Sequence, residues 1–99
     1  MIVVVGQFRM PPEAMTEARD AMRVVVEASR AEAGCIEYNY AEDVLDPCLI
    51  RVSEVWETRA QLAAHFETPH MQDWMAKRLA LGMTSRRLQV YEADAGTAL

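Results

Sequence analysis

Extended stretches of one charge sign are missing from this chain. No run of lysine or arginine is longer than Arg86-Arg87, and the net charge is −5. The cationic footprint that a phosphate backbone requires is absent, which sets nucleic acid aside as a partner. Long apolar runs are missing too. The opening MIVVVGQFRM is apolar for only about five positions before it reaches Arg9, too short for a signal-peptide core or a membrane span. These features predict a cytoplasmic protein with no membrane association.

Cysteine is scarce, with Cys35 and Cys48 alone. On paired strands either side of a turn near Val44 to Asp46 they would lie on the order of 25 Å apart, far beyond the ~7 Å Cα separation a disulfide allows, so two reduced thiols are expected. Motifs that carry cofactor chemistry are missing as well. There is no HExxH or CxxC, and His65 and His70 stand five apart where helical metal pairs stand four apart. Gly6, Gly34, Gly82 and Gly96 are isolated, which excludes a dinucleotide fingerprint or phosphate loop, and Ser53 and Ser85 lack a nucleophile elbow. No metal and no cofactor is expected.

What remains is the composition of a globular domain, 52% apolar and 25% charged over 99 residues. Ile2 to Met10 reads as a strand with Val4, Phe8 and Met10 on one side, closed by Pro11-Pro12. Val3 and Val5 make its first half apolar on both faces, so the sheet face away from the helices calls for a partner, and a second copy of the chain is the simplest one. Met15, Ala18, Met22, Val25, Val26 and Ser29 recur at helical spacing, with Gly34 as the expected C′ residue. Cys35 to Glu42, with Ile36, Tyr38 and Tyr40 at period two, and Leu49 to Trp56 form a hairpin about the turn-rich AEDVLDP.

Thr58 with Gln61 matches a capping box and starts a helix bearing Leu62, His65 and Phe66. Thr68-Pro69 restarts it, and Met71, Trp74, Met75 and Leu79 form the next apolar stripe up to Gly82. Arg86 to Glu92 closes the chain as a strand. Residues 1–94 thus form one domain and 95–99 a frayed tail. The order strand, helix, strand, strand, helix, strand is the ferredoxin-like βαββαβ plan of an α+β protein, a four-stranded antiparallel sheet with helices on one face.

The stretch Ser53 to Trp74 holds both histidines and both tryptophans. Spacing puts His65 on or beside the inward stripe with Leu62 and Phe66, and His70 on one face with Trp74. The proline break lets the two short helices bend over the sheet and leave a hollow. A histidine beside an apolar stripe is more often packed than catalytic, tryptophans are more often core than pocket, and Met15, Met22, Met71 and Met75 are ordinary core fillers.

The run EAGCIEYNYAEDVLDPCLIRVSEVWETRAQLAAHFETPHMQDW resembles the signature of the antibiotic biosynthesis monooxygenase family, in particular its small quinol-monooxygenase-like members. The resemblance rests on Gly34-Cys35, Tyr38, Asp46-Pro47, Glu54, Trp56, His65 and Pro69-His70 followed by a hydrophobic residue. It implies a dimeric α/β barrel in which two ferredoxin-like subunits pack sheet to sheet, and oxygenation of phenols or quinols by molecular oxygen without a cofactor. Haem-degrading relatives carry a tryptophan and a histidine where this chain has His65 and Met75, which argues against haem.

The expected activity is oxidation of a small reduced aromatic, a quinol or polyketide-like phenol, by a homodimer. A phenol of pKa near 10 lies about three units from ionised at pH 7, a cost of about 4 kcal/mol, so a base near the hydroxyl is the useful group. His65 and His70 are the candidates. Trp56, Trp74 and Phe66 are expected to wall the ring, and Asn39, Arg51 or Glu54 to orient oxygens, as strand register decides. Two other readings share the pocket: sequestration of an aromatic without chemistry, and an isomerase or lyase that moves a proton without consuming oxygen.

Overall fold

Pro11 and Pro12 withdraw two backbone donors in succession, and the first strand, β1 (Ile2–Arg9), stops just before them. A computed structural model describes residues 1–99. A 3₁₀ turn at Pro12–Ala14 leads into α1 (Met15–Arg30), which buries Met15, Ala18, Met22, Val25 and Ser29 along one stripe, as the periodicity predicts. Next come β2 (Cys35–Asp43) and β3 (Asp46–Trp56), then α2 (Arg59–Phe66), α3 (Pro69–Leu81) and β4 (Thr84–Glu92).

The strands form one antiparallel sheet in the order β2-β3-β1-β4, the ferredoxin-like arrangement. The helices pack on one face, chiefly across β2 and β3, and leave β4 lightly covered. Tyr38, Val52, Glu54, Trp56, Val4 and Phe8 point toward the helices. One buried cluster joins Phe8, Met22, Val25, Ile50, Met71 and Trp74; a second joins Ile2, Val4, Tyr38, Trp56 and Leu62.

Both predicted caps form. The Thr58 oxygen accepts from the Gln61 amide at 3.2 Å and the Thr68 oxygen from the Met71 amide at 3.3 Å, so the helical segment breaks at Thr68-Pro69 as expected. Gly6 faces β4 closely: a Cβ there would lie 2.0 Å from the Arg87 carbonyl oxygen, so only glycine lets the two strands pair at this point.

Four details differ from the sequence reading. Gly34 is not the C′ residue of α1, which ends at the Ala31 cap; it sits at φ +80° in the turn that opens β2, a left-handed conformation that favours glycine, and a Cβ there would require the Gln61 side chain to shift. Ile36 leaves the face of Tyr38 because a bulge between Cys35 and Glu37 breaks the period of two, and it is 48% exposed. β3 starts earlier than expected, at Asp46, because the hairpin turn is only Val44-Leu45, and β4 starts earlier too, at Thr84, two residues after the Gly82 cap of α3. Leu79 is 80% exposed, and the inward positions of α3 after Trp74 are the half-buried Arg78, four residues on, and Leu81.

The face away from the helices is mixed. Val3 pairs with Val55 and Tyr91 at its apolar end, and Gln7, Arg51 and Arg87 lie at its polar end. Cys35 and Cys48 are free thiols. No helix is long and apolar enough to cross a membrane. Residues 93–99 carry no helix or strand and are exposed.

Candidate functional site

Between the sheet and the helices lies a cavity of about 90 Å³ whose lining is mostly apolar, including Phe8, Tyr38, Tyr40, Leu62, Phe66, Met71 and Leu88. Its polar members are Glu54 from β3, His65 from α2, Arg78 from α3 and Arg86 from β4. A cavity of about 150 Å³ suffices for benzene, so a single ring enters this one only with movement of lining side chains. Met71 and Phe66, the former unbranched and flexible, are the ones that can give way.

His65 is the most enclosed polar group, fully buried against Trp56, Tyr38 and Phe66 with ring centroids 4.8, 5.2 and 5.3 Å away. Its Nδ1 donates to Glu32 Oε2 at 2.6 Å, and Nε2 has no partner. A carboxylate on Nδ1 fixes the proton there and leaves Nε2 as the basic nitrogen. Burial pushes the His65 pKa down and the Glu32 carboxylate opposes the shift, so the ring is neutral at pH 7. His70 Nε2 reaches the same Glu32 oxygen at 2.8 Å, from the helix turn beyond the proline break. His70 does not line the cavity; it lies on the outer side with Trp74.

Glu32, His65 and His70 bring three ligating atoms within 4.8 Å of one another. The five-residue spacing of the histidines does not reveal Glu32, which the turn after α1 delivers. Metal–ligand bonds of about 2.1 Å set tetrahedral ligands about 3.4 Å apart. The two contacts to Glu32, at 2.6 and 2.8 Å, are hydrogen-bond distances, so as placed the three groups share protons, and their donor atoms are also a set that could hold a metal ion.

Glu54 is 4% exposed and accepts from Trp56 Nε1 at 3.0 Å. Burial raises its pKa to about 7, against the opposing pull of the Trp56 hydrogen bond and Arg86. Across the cavity the Tyr38 and Tyr40 hydroxyls meet at 2.9 Å, and burial pushes both phenols up, which keeps them protonated.

Of the residues predicted from sequence, His65, Glu54 and Phe66 line the cavity. Trp56 does not wall it; it lies behind, fully buried, and holds Glu54. Trp74 packs in the core against Phe8 and Tyr40 at 6.1 and 6.0 Å. Asn39 and Arg51 lie on the other face of the sheet, in a shallow hollow of about 460 Å³, where Asn39 binds Arg30 and Ser53 and Arg51 binds Asp43 and Gln7. Parity along β3 carries this: Val52, Glu54 and Trp56 face the helices, so Arg51 and Ser53 face away. Sequence reasoning missed Glu32, Arg78, Arg86 and Tyr40 as cavity or site residues. Strand alternation with Tyr38 marks Tyr40, and helical spacing from Trp74 marks Arg78; nothing local marks Glu32.

The family model described as antibiotic biosynthesis monooxygenase matches residues 1–77. The uncharacterised protein sll1783 of Synechocystis sp. is 32% identical over 91 residues, which is 92% of this chain and 62% of that protein. The chain therefore spans less than two thirds of that relative's length. The Bacillus subtilis protein named "Putative monooxygenase YcnE" is 32% identical over 77 residues, 78% of this chain and 81% of its own. A crystal structure from Deinococcus radiodurans superposes with a TM-score of 0.93 at 22% identity, covering 100% of this chain and 98% of that one, which establishes the shared fold.

Proposed function

The chain belongs to the antibiotic biosynthesis monooxygenase family, and on that premise we propose that it oxidises a small phenol or hydroquinone with molecular oxygen, using no metal or flavin, as a cytoplasmic homodimer. The observation that carries the reading is the Glu32–His65 pair: a neutral imidazole in an apolar cavity wall with one nitrogen held by a carboxylate and the other unpartnered. Such an arrangement is a general base set up for one proton.

His65 Nε2 takes the phenolic proton as the ring enters. The phenolate gives one electron to oxygen, and the resulting ring radical and superoxide combine to form a carbon–oxygen bond, a hydroperoxide. Loss of the proton on that carbon and cleavage of the O–O bond give a carbonyl and water. Hydroquinone plus oxygen yields hydroxyquinone plus water, with one oxygen atom in each product. Glu54, which burial helps to hold a proton near neutral pH, protonates the departing hydroxide. His70 fixes the Glu32 carboxylate and acts through it. The cavity's aromatic wall excludes water, which protects the radical pair and strengthens the hydrogen bonds within.

Oxygen-electrode traces with a hydroquinone, with ¹⁸O₂ tracing one atom into the product, test this reading. Binding without oxygen uptake would favour sequestration, and substrate proton exchange without uptake would favour an isomerase. The homodimer covers the Val3, Val5, Val55 and Tyr91 end of the open sheet face, of which Val5 and Tyr91 are 49% and 50% exposed. Sedimentation of a folded monomer at micromolar concentration would contradict it.

A further inference from the structure

Six of the nine arginines in this chain are engaged. Arg9, Arg19, Arg23, Arg51 and Arg59 form ion pairs with Asp46, Glu42, Asp20, Asp43 and Glu92, and Arg30 donates to the Tyr38 carbonyl and Asn39. Arg78, Arg86 and Arg87 have no such partner. Arg87 faces the open side of the sheet. Arg78 and Arg86 come from different elements, α3 and β4, yet both line the cavity.

Two like charges converge here on an apolar hollow in a protein of net charge −5 with fifteen carboxylate side chains. Arg78 is half-buried, and burial together with Arg86 disfavours its charged form. Such a group costs free energy unless an anion meets it. The one carboxyl in the cavity meets them only at a distance: Glu54 is turned to Trp56 Nε1 and, although Arg86 pulls on it, makes no ion pair with either guanidinium. The lightly covered side of the cavity is the β4 side, where Arg86 is exposed, whereas His65 is fully buried. Arg86 thus marks the solvent side of the cavity and His65 its buried side.

We propose that the substrate is an anionic aromatic, a phenol or hydroquinone bearing a carboxylate, whose anion is held by Arg78 and Arg86 at the mouth while its hydroxyl meets His65. The proposal rests on the oxygenase reading for the reacting end and names the other end of the molecule. A guanidinium pair suits a carboxylate because its N–H groups present the matching fork. A ring anchored at its outer end enters in one orientation only, hydroxyl first. The same anchor supplies binding energy remote from the reacting atoms, which offsets the cost of moving Met71 and Phe66 aside.

The test uses a matched pair, 3-(2,5-dihydroxyphenyl)propanoate and its neutral amide, on the full chain. Anaerobic titration calorimetry gives the dissociation constants and oxygen uptake gives kcat/KM. The acid is expected to bind about tenfold or more tighter than the amide, as a charge-assisted hydrogen bond allows, and 0.5 M salt (~) reduces the preference by screening. Arg78→Gln and, separately, the exposed Arg86→Gln each bring the ratio toward unity, with folding checked by circular dichroism. Equal affinity for acid and amide in the parent protein overturns the proposal, as does a ratio unchanged in both variants. Acid-selective binding with no oxygen uptake upholds the anion site and removes the oxygenase reading. Equal turnover of acid and amide does the reverse.

Discussion

Nδ1 of His65 lies 2.6 Å from Oε2 of Glu32, although the two residues are 33 positions apart in the chain. The contact joins the turn after α1 to the second turn of α2 across the end of the sheet. It makes a buried imidazole both oriented and directional, because the carboxylate accepts the Nδ1 proton and the lone pair is left on Nε2. In the proposed mechanism Glu32 positions the His65 ring and does not itself line the cavity.

Replacing Glu32 with glutamine removes the charge and keeps the shape. The carboxylate raises the His65 pKa against burial, so its loss lets that pKa fall further. The acid limb of the oxygen-uptake profile should therefore move to lower pH. A weaker base and a less firmly held tautomer should lower kcat at least tenfold with little change in KM. An unchanged pH limb in Glu32→Gln would show that Glu32 does not tune the imidazole.

Glu54 makes a stability prediction of opposite sign to the usual carboxylate. Its folded pKa, about 7, lies above the ordinary glutamate value of 4.5, so the folded state binds the proton more tightly. Its contribution is fully present below pH 4.5 and is lost as pH rises through about 7. The difference of roughly 2.5 units corresponds to about 3 kcal/mol. Urea unfolding of the parent and of Glu54→Gln should show the variant gaining about that much relative to the parent between pH 4.5 (~) and pH 8 (~). A constant difference across this range would place Glu54 in a more polar setting.

Chelation should leave turnover unchanged. His65 Nδ1 and His70 Nε2 are both committed to one oxygen of Glu32, at distances that suit protons. Dialysis against a strong chelator followed by oxygen uptake checks this, and restoration of lost activity by one divalent metal would contradict it.

Much of the fold was legible because it follows from local chemistry. Thr58 with Gln61 and Thr68 with Pro69 carry their own helix starts, and Phe8, Met22 and Trp74 carry the period of the element they sit on. The hidden parts are non-local or depend on one extra residue. The bulge between Cys35 and Glu37 reverses Ile36 with no mark in composition. Leu79 and Arg78 are neighbours on α3, and which of them faces inward depends on a rotation that hydrophobicity alone assigns to leucine. Asn39 and Arg51 were within reach of simple parity with Tyr38 and Trp56. Glu32 was not, since one acid in a turn reveals nothing of two histidines 33 and 38 residues later.

The central claim is that His65 is the base that ionises the substrate hydroxyl. The most direct test is kcat/KM for oxygen uptake with a hydroquinone, measured against pH, in the parent and in His65→Asn. The account predicts that the parent's rate falls as pH drops through a pKa below the ordinary histidine value, since burial lowers it. The variant should lose about 10²- to 10⁴-fold and show no such limb, while still binding the aromatic anaerobically. A variant with the parent's turnover and the same pH profile would make His65 a packing residue and remove the mechanism.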